Sequence, residues 1–161
     1  MRVAPFSEYQ YPMTSVFPGW NRKFAPEGFN EIQALLPAER FEAAFRTVVA
    51  LYERNDRAPE VCGVRKHKPD AYHLSFAGDG LSFGLAFSLA GFRPGALERF
   101  RRELIERIVA EGGKVQLAKF PYMGADVFRQ MYPMAESFVR VKQAVDPDGR
   151  FWSEAAARLL G

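Results

Sequence analysis

Leu81-Ser82-Phe83-Gly84-Leu85-Ala86-Phe87-Ser88-Leu89 alternates large apolar side chains with small ones without a break. A β-strand repeats every two residues, so Leu81, Phe83, Leu85, Phe87 and Leu89 share one face and Ser82, Gly84, Ala86 and Ser88 share the other. The first face belongs in a core. The second carries no large side chain, which is what a sheet does where another body lies flat against it.

Working upstream, Gly78-Asp79-Gly80 reads as a tight turn of the hairpin kind, and residues 72–76 as the strand on its far side. The polar run Lys66-His67-Lys68-Pro69-Asp70 closes an earlier strand over residues 60–66. Within that strand Cys62 is expected to be a small buried hydrophobe. Residues 38–54 place Phe41, Phe45, Val48, Leu51 and Tyr52 at the spacing of an amphipathic helix. Residues 29–36 alternate as a strand that Pro37 ends. Its Phe29, Glu31, Gln33 and Leu35 face mixes polar and apolar groups, so it lines something wet. Residues 1–28, rich in Pro, Gly and aromatics, read as an irregular arm whose rings pack on the domain or on a partner.

Downstream, Pro94 opens a helix through Leu97, Phe100, Leu104, Ile105 and Ile108, and Gly112 stops it. Glu98 with Arg102, and Glu103 with Arg107, stand four residues apart, so the arginines read as a self-compensated solvated face. Residues 112–122 then form a strand in which Val115, Leu117 and Lys119 fall on one side. A lysine so placed has two readings. Its stem packs while its ammonium reaches water, or it holds a fixed positive charge over a ligand face. Short helices over 125–131 and 135–145, a turn at Asp146-Pro147-Asp148-Gly149, and a last helix N-capped by Ser153 complete the chain.

The order of elements is that of an α+β, ferredoxin-like βαββαβ antiparallel sheet with an extra strand, followed by short C-terminal helices. Both main helices cover one face of the sheet. Function is expected on the face left free.

Composition narrows the classes. At 161 residues the chain is one domain or little more, and its net charge of +3 is too small for a polycationic nucleic-acid surface. A single cysteine forbids an internal disulfide and suits a reducing compartment. The uncharged run over residues 80–92 is too short to cross a bilayer, and no apolar run follows Arg2, so a cytoplasmic protein without a transmembrane segment is expected. His67 and His73, separated by a proline-containing turn with no carboxylate cluster, do not predict a metal site. In Gly78-Asp79-Gly80-Leu81-Ser82-Phe83-Gly84 the last glycine interval is one residue too long for a dinucleotide fingerprint, and a strand follows where a helix must begin. Ser82–Phe87 is similar to a base-stacking RNA-binding strand, but its aromatics share the core face, so nucleic acid is not expected.

The C-terminal third carries the series Gly112-Gly113-Lys114-Val115-Gln116-Leu117-Ala118-Lys119, Phe128-Arg129-Gln130-Met131-Tyr132-Pro133, Val141 to Trp152, and Ala157-Arg158-Leu159-Leu160. This series resembles the end of FAD-linked oxidases of the vanillyl-alcohol oxidase superfamily, nearest to decaprenylphosphoryl-ribose oxidases and then to aldonolactone oxidases. The likeness extends upstream through Leu74-Ser75-Phe76, residues 29–37 and Trp20-Asn21-Arg22, and so covers nearly the whole chain.

The resemblance implies that residues 29–161 are the substrate (cap) domain of such an oxidase, without its flavin-binding domain. The activity implied is oxidation of a secondary alcohol of a sugar or sugar lactone, with hydride passing to FAD. Lys119 matches the lysine that lies over the flavin and touches the substrate. Gln33 and Lys66 match polar residues of the substrate pocket, and Ser82 and Gly84 match positions facing the ring. FAD would be held by a partner flavin-binding domain or subunit, and the chain alone is not expected to bind it or turn over. The rival reading is an orphan, non-catalytic ligand-binding or protein-interaction module of the same fold. The uncovered sheet face also leaves room for a homodimer.

Overall fold

A computed structural model describes Pro18, Gly19, Arg22 and residues 24–161. Its elements run β1 (Phe29–Leu36), α1 (Phe41–Arg54), β2 (Val61–His67), β3 (Gly80–Ser88), α2 (Ala96–Ala110), β4 (Lys114–Val115), α3 (Ala125–Met131), α4 (Ala135–Val145) and α5 (Glu154–Leu160). The four strands stand in the order β2-β3-β1-β4, with every neighbouring pair antiparallel. This is the ferredoxin-like α+β arrangement expected from the βαββαβ order.

Register follows the alternation. Ile32 pairs with Leu85 and Ala34 with Phe83, so the apolar halves of β1 and β3 point together toward the helices. There they meet Val48, Leu51 and Tyr52 of α1 and Phe100, Leu104 and Ile108 of α2 in one core. Tyr52, Phe87 and Phe100 meet edge to face, with ring centroids 5.1–5.6 Å apart. Ser153 caps α5 as expected, its Oγ accepting from the Ala156 N–H at 3.1 Å. Of the two expected helix-face pairs, Arg107 reaches Glu103 at 3.1 Å, and Glu103 also takes Arg54. Glu98 and Arg102 do not pair; both line a cleft beside Tyr122 and Met123.

Four details differ from the sequence reading. Residues 72–76 form no strand among the described residues. Asp70 accepts from the Tyr72 N–H and the Ser75 hydroxyl, and this local capping curls the chain before it can pair. Gly80 is already in β3, so residues 68–79 make a loop where a tight turn at residues 78–80 was expected. β4 is only two residues long: Lys119 and Phe120 donate their N–H groups to the Gln116 carbonyl, turning the chain directly after the strand. Finally, Cys62 is exposed, because β2 is the terminal strand and the helices do not reach over it.

The short C-terminal helices continue the helix layer past β4. Tyr132 is buried, and its hydroxyl donates to the Val115 carbonyl at 2.6 Å. No helix among the described residues is long and apolar enough to cross a membrane.

Candidate functional site

The sheet face turned away from the helices is built from Glu31, Gln33 and Leu35 of β1, Ser82, Gly84 and Ala86 of β3, and Val61, Gly63 and Arg65 of β2, since directly paired residues share a side. Gln33, Gly84 and Gly63 form one row across three strands. Among the described residues, a Cβ built on Gly63 would meet nothing within 4 Å, and one on Gly84 would meet the Glu31 Oε1 alone, at 3.7 Å. Two neighbouring glycines thus leave a strip of bare backbone, open enough for a flat body to rest on it.

One side of the strip is charged. The turn after β4 swings Lys119 out of line with Val115, which is fully buried, and carries its ammonium over the open face. There it donates to Glu31 Oε2 at 2.5 Å. The expected strand would have set Lys119 on the core side with Val115; shortening that strand is what frees it.

The far end of the strip is walled. His67 Nε2 and Ser82 Oγ lie 2.8 Å apart, and the Phe76 ring stands edge-on to His67 at 5.5 Å. Ser82 is 1% exposed. Lys114, opposite Leu35, sends its ammonium to the carbonyls of Ser75 (2.9 Å) and Ala77 (2.7 Å). Burial pushes this lysine below its usual range, opposed by the charge of Asp70.

The expected residues therefore divide. Gln33, Ser82, Gly84 and Lys119 come together on one face. Lys66 pairs opposite Leu81 and stands on the helix side of the exposed edge strand. Glu31, Gly63 and His67 join the group without having been singled out, although the period-two pattern already puts Glu31 beside Gln33. Among the described residues no group of His, Cys, Asp and Glu is clustered to hold a metal ion.

Chemically, the pair of Lys119 and Glu31 offers a cation and a carboxylate to the same small volume, above backbone that cannot obstruct. An alcohol entering there meets an acceptor for its proton and a donor for its oxygen.

Residues 27–159 match the family model described as D-arabinono-1,4-lactone oxidase. The chain belongs to this family. Among curated relatives of this oxidase-family chain, the decaprenylphosphoryl-β-D-ribose oxidase of Mycolicibacterium smegmatis is 28% identical over 159 residues, which is 98% of the chain and 33% of that protein. A Streptomyces coelicolor protein described only as an uncharacterized protein in the mprA 5′ region is 36% identical over 86 residues, or 53% of the chain and 23% of that protein. The D-arabinono-1,4-lactone oxidase-family domain seen here thus spans about a third of the longer of these alignments' relative.

Proposed function

We propose that this chain is the substrate (cap) domain, over residues 29–161, of an FAD-dependent oxidoreductase that oxidises a secondary alcohol of a sugar or sugar lactone, working in the cytoplasm with a separate flavin-binding domain or subunit. The observation that carries the reading is the bare Gly63 and Gly84 strip beside the Lys119 and Glu31 pair. A flat ring system fits against such backbone, whereas a large side chain in either position would exclude it. The rest of the cofactor is assigned to the partner.

FAD, when bound, supplies the two-electron acceptor. The chain's own residues hold the substrate. Glu31 takes the hydroxyl proton as the alcohol is oxidised, and Lys119 stabilises the negative charge that develops on that oxygen. Gln33 orients the neighbouring hydroxyls, and Ser82, through its bond to His67, sets the wall of Phe76 and His67 that closes the end of the strip.

Co-purification with the flavin-binding partner tests this. The expected result is a yellow complex whose flavin is bleached by a sugar or sugar lactone, with bleaching abolished in Lys119→Ala. A complex that stays oxidised with every such substrate, or a fully active Lys119→Ala complex, sinks the reading and leaves the non-catalytic module in its place.

A further inference from the structure

His67 and Gly80 are register partners, so β2 and β3 stand close enough there for a minimal hairpin. The chain instead spends residues 68–79 on an excursion. That excursion lies on the open face: Phe76 stands against His67 of β2, and Gly78 lies so close to Leu35 of β1 that a Cβ there would come 2.9 Å from its Cδ2. The carbonyls of Ser75 and Ala77 are gripped by Lys114 of β4. The segment therefore touches both outer strands of the sheet and one strand between them.

Its own hydrogen bonds are local. Asp70 takes the Tyr72 N–H and the Ser75 hydroxyl, and the Ala77 N–H reaches Ser75 Oγ at 2.9 Å. These bonds shape the segment but do not fasten it to the sheet. An ammonium placed between two carbonyls does, and it uses a half-buried charge to do so, a costly choice if the loop's position were of no consequence.

We propose that Lys114 is a positioning residue for the candidate site: it draws residues 68–79 across the end of the open face, fixes the wall of Phe76, His67 and Ser82, and so limits the length of substrate admitted. The limit on substrate length rests on the function proposed above. The tether does not.

The tether is read on the isolated chain. His67 is one of two histidines, which makes its ring resonances simple to assign. In Lys114→Met the stem remains and the donors go. The His67 ring should then lose the shift imposed by Phe76, and amide exchange at Ala77 should rise about tenfold while β1 and β3 amides stay protected. Lys114→Arg, which keeps donors, should restore both in part. A folded Lys114→Met with His67 and Ala77 unmoved overturns the tether. If Lys114→Met does not fold, Lys114→Gln, with one donating amide, decides by the same two readings.

The length limit is read in the flavin-loaded complex. Lys114→Met should lower KM for the longer of two homologous substrates about tenfold with kcat little changed. An unchanged preference despite a released loop overturns the limit. A wild-type complex that oxidises no sugar defeats the function and with it the limit, while the His67 and Ala77 readings still decide the tether.

Discussion

The carboxylate of Glu31 is shared: Oε2 accepts from Lys119 at 2.5 Å, and Oε1 is the nearest atom to the space above Gly84. An exposed pair of this kind contributes about 0.2–1 kcal/mol to stability. Glu31→Gln and Lys119→Met should accordingly leave thermal unfolding of the chain within a few degrees of wild type. In the flavin complex each should cost about 10²-fold or more in turnover, and the double variant should cost little beyond the worse single one, as for groups that act as a unit. Additive losses would separate the two residues' roles.

Filling the bare strip should divide stability from function. Neither Gly63 nor Gly84 has the positive φ that would forbid a side chain, and both have room for a Cβ. Gly84→Val, a good strand former, should hold or raise the melting temperature, the gain being of order 0.5–1 kcal/mol. The same change should prevent formation of a reducible flavin complex. Calorimetry and flavin bleaching measured side by side check both halves.

Tyr132→Phe tests the closure of β4. Its hydroxyl hydrogen bond to Val115 is buried, so the change strands a carbonyl and should cost about 1–3 kcal/mol. For a chain of this size that is a fall of roughly 2–4 °C in Tm per kcal/mol.

Acid should loosen the C-terminal turn first. Asp146 is held at about 2, chiefly by the Lys142 ammonium and then by the Phe151 and Arg150 N–H groups, against 3.8 when unperturbed. The folded chain thus favours the ionised carboxylate. Its contribution is fully present above pH 3.8 and is lost as pH falls from there through about 2. Trp152, whose ring lies 5.0 Å from the Lys142 ammonium, reports the change. In a Trp20→Phe background its fluorescence should shift across that window, and Asp146→Asn should show the acid form at neutral pH.

The elements legible in the sequence were those with unbroken periodicity. β1, β3 and α2 follow from alternation or helical spacing, and the face of β3 swept bare of large side chains is the face that carries the candidate site. What stayed hidden depended on hydrogen bonds that no period encodes. Val115, Leu117 and Lys119 alternate as a strand should, yet the Gln116 carbonyl takes two N–H groups and turns the chain, moving Lys119 to the opposite side. Tyr72, Leu74 and Phe76 alternate as well, but Asp70 captures the backbone first. Residue type alone makes Cys62 a buried hydrophobe. Its exposure is decided by rank within the sheet, since a terminal strand lies beyond the reach of the helices.

The Tyr132 hydroxyl on the Val115 carbonyl has a consequence for growth. The Val115 carbonyl of β4, which points away from β1, is already engaged, whereas β2, at the other border, is exposed at every residue but His67. A polymer of sheets needs two sticky ends. Among the described residues this sheet has one, at β2, so a second molecule joining there by its own β2 would leave two closed ends and nothing further to recruit.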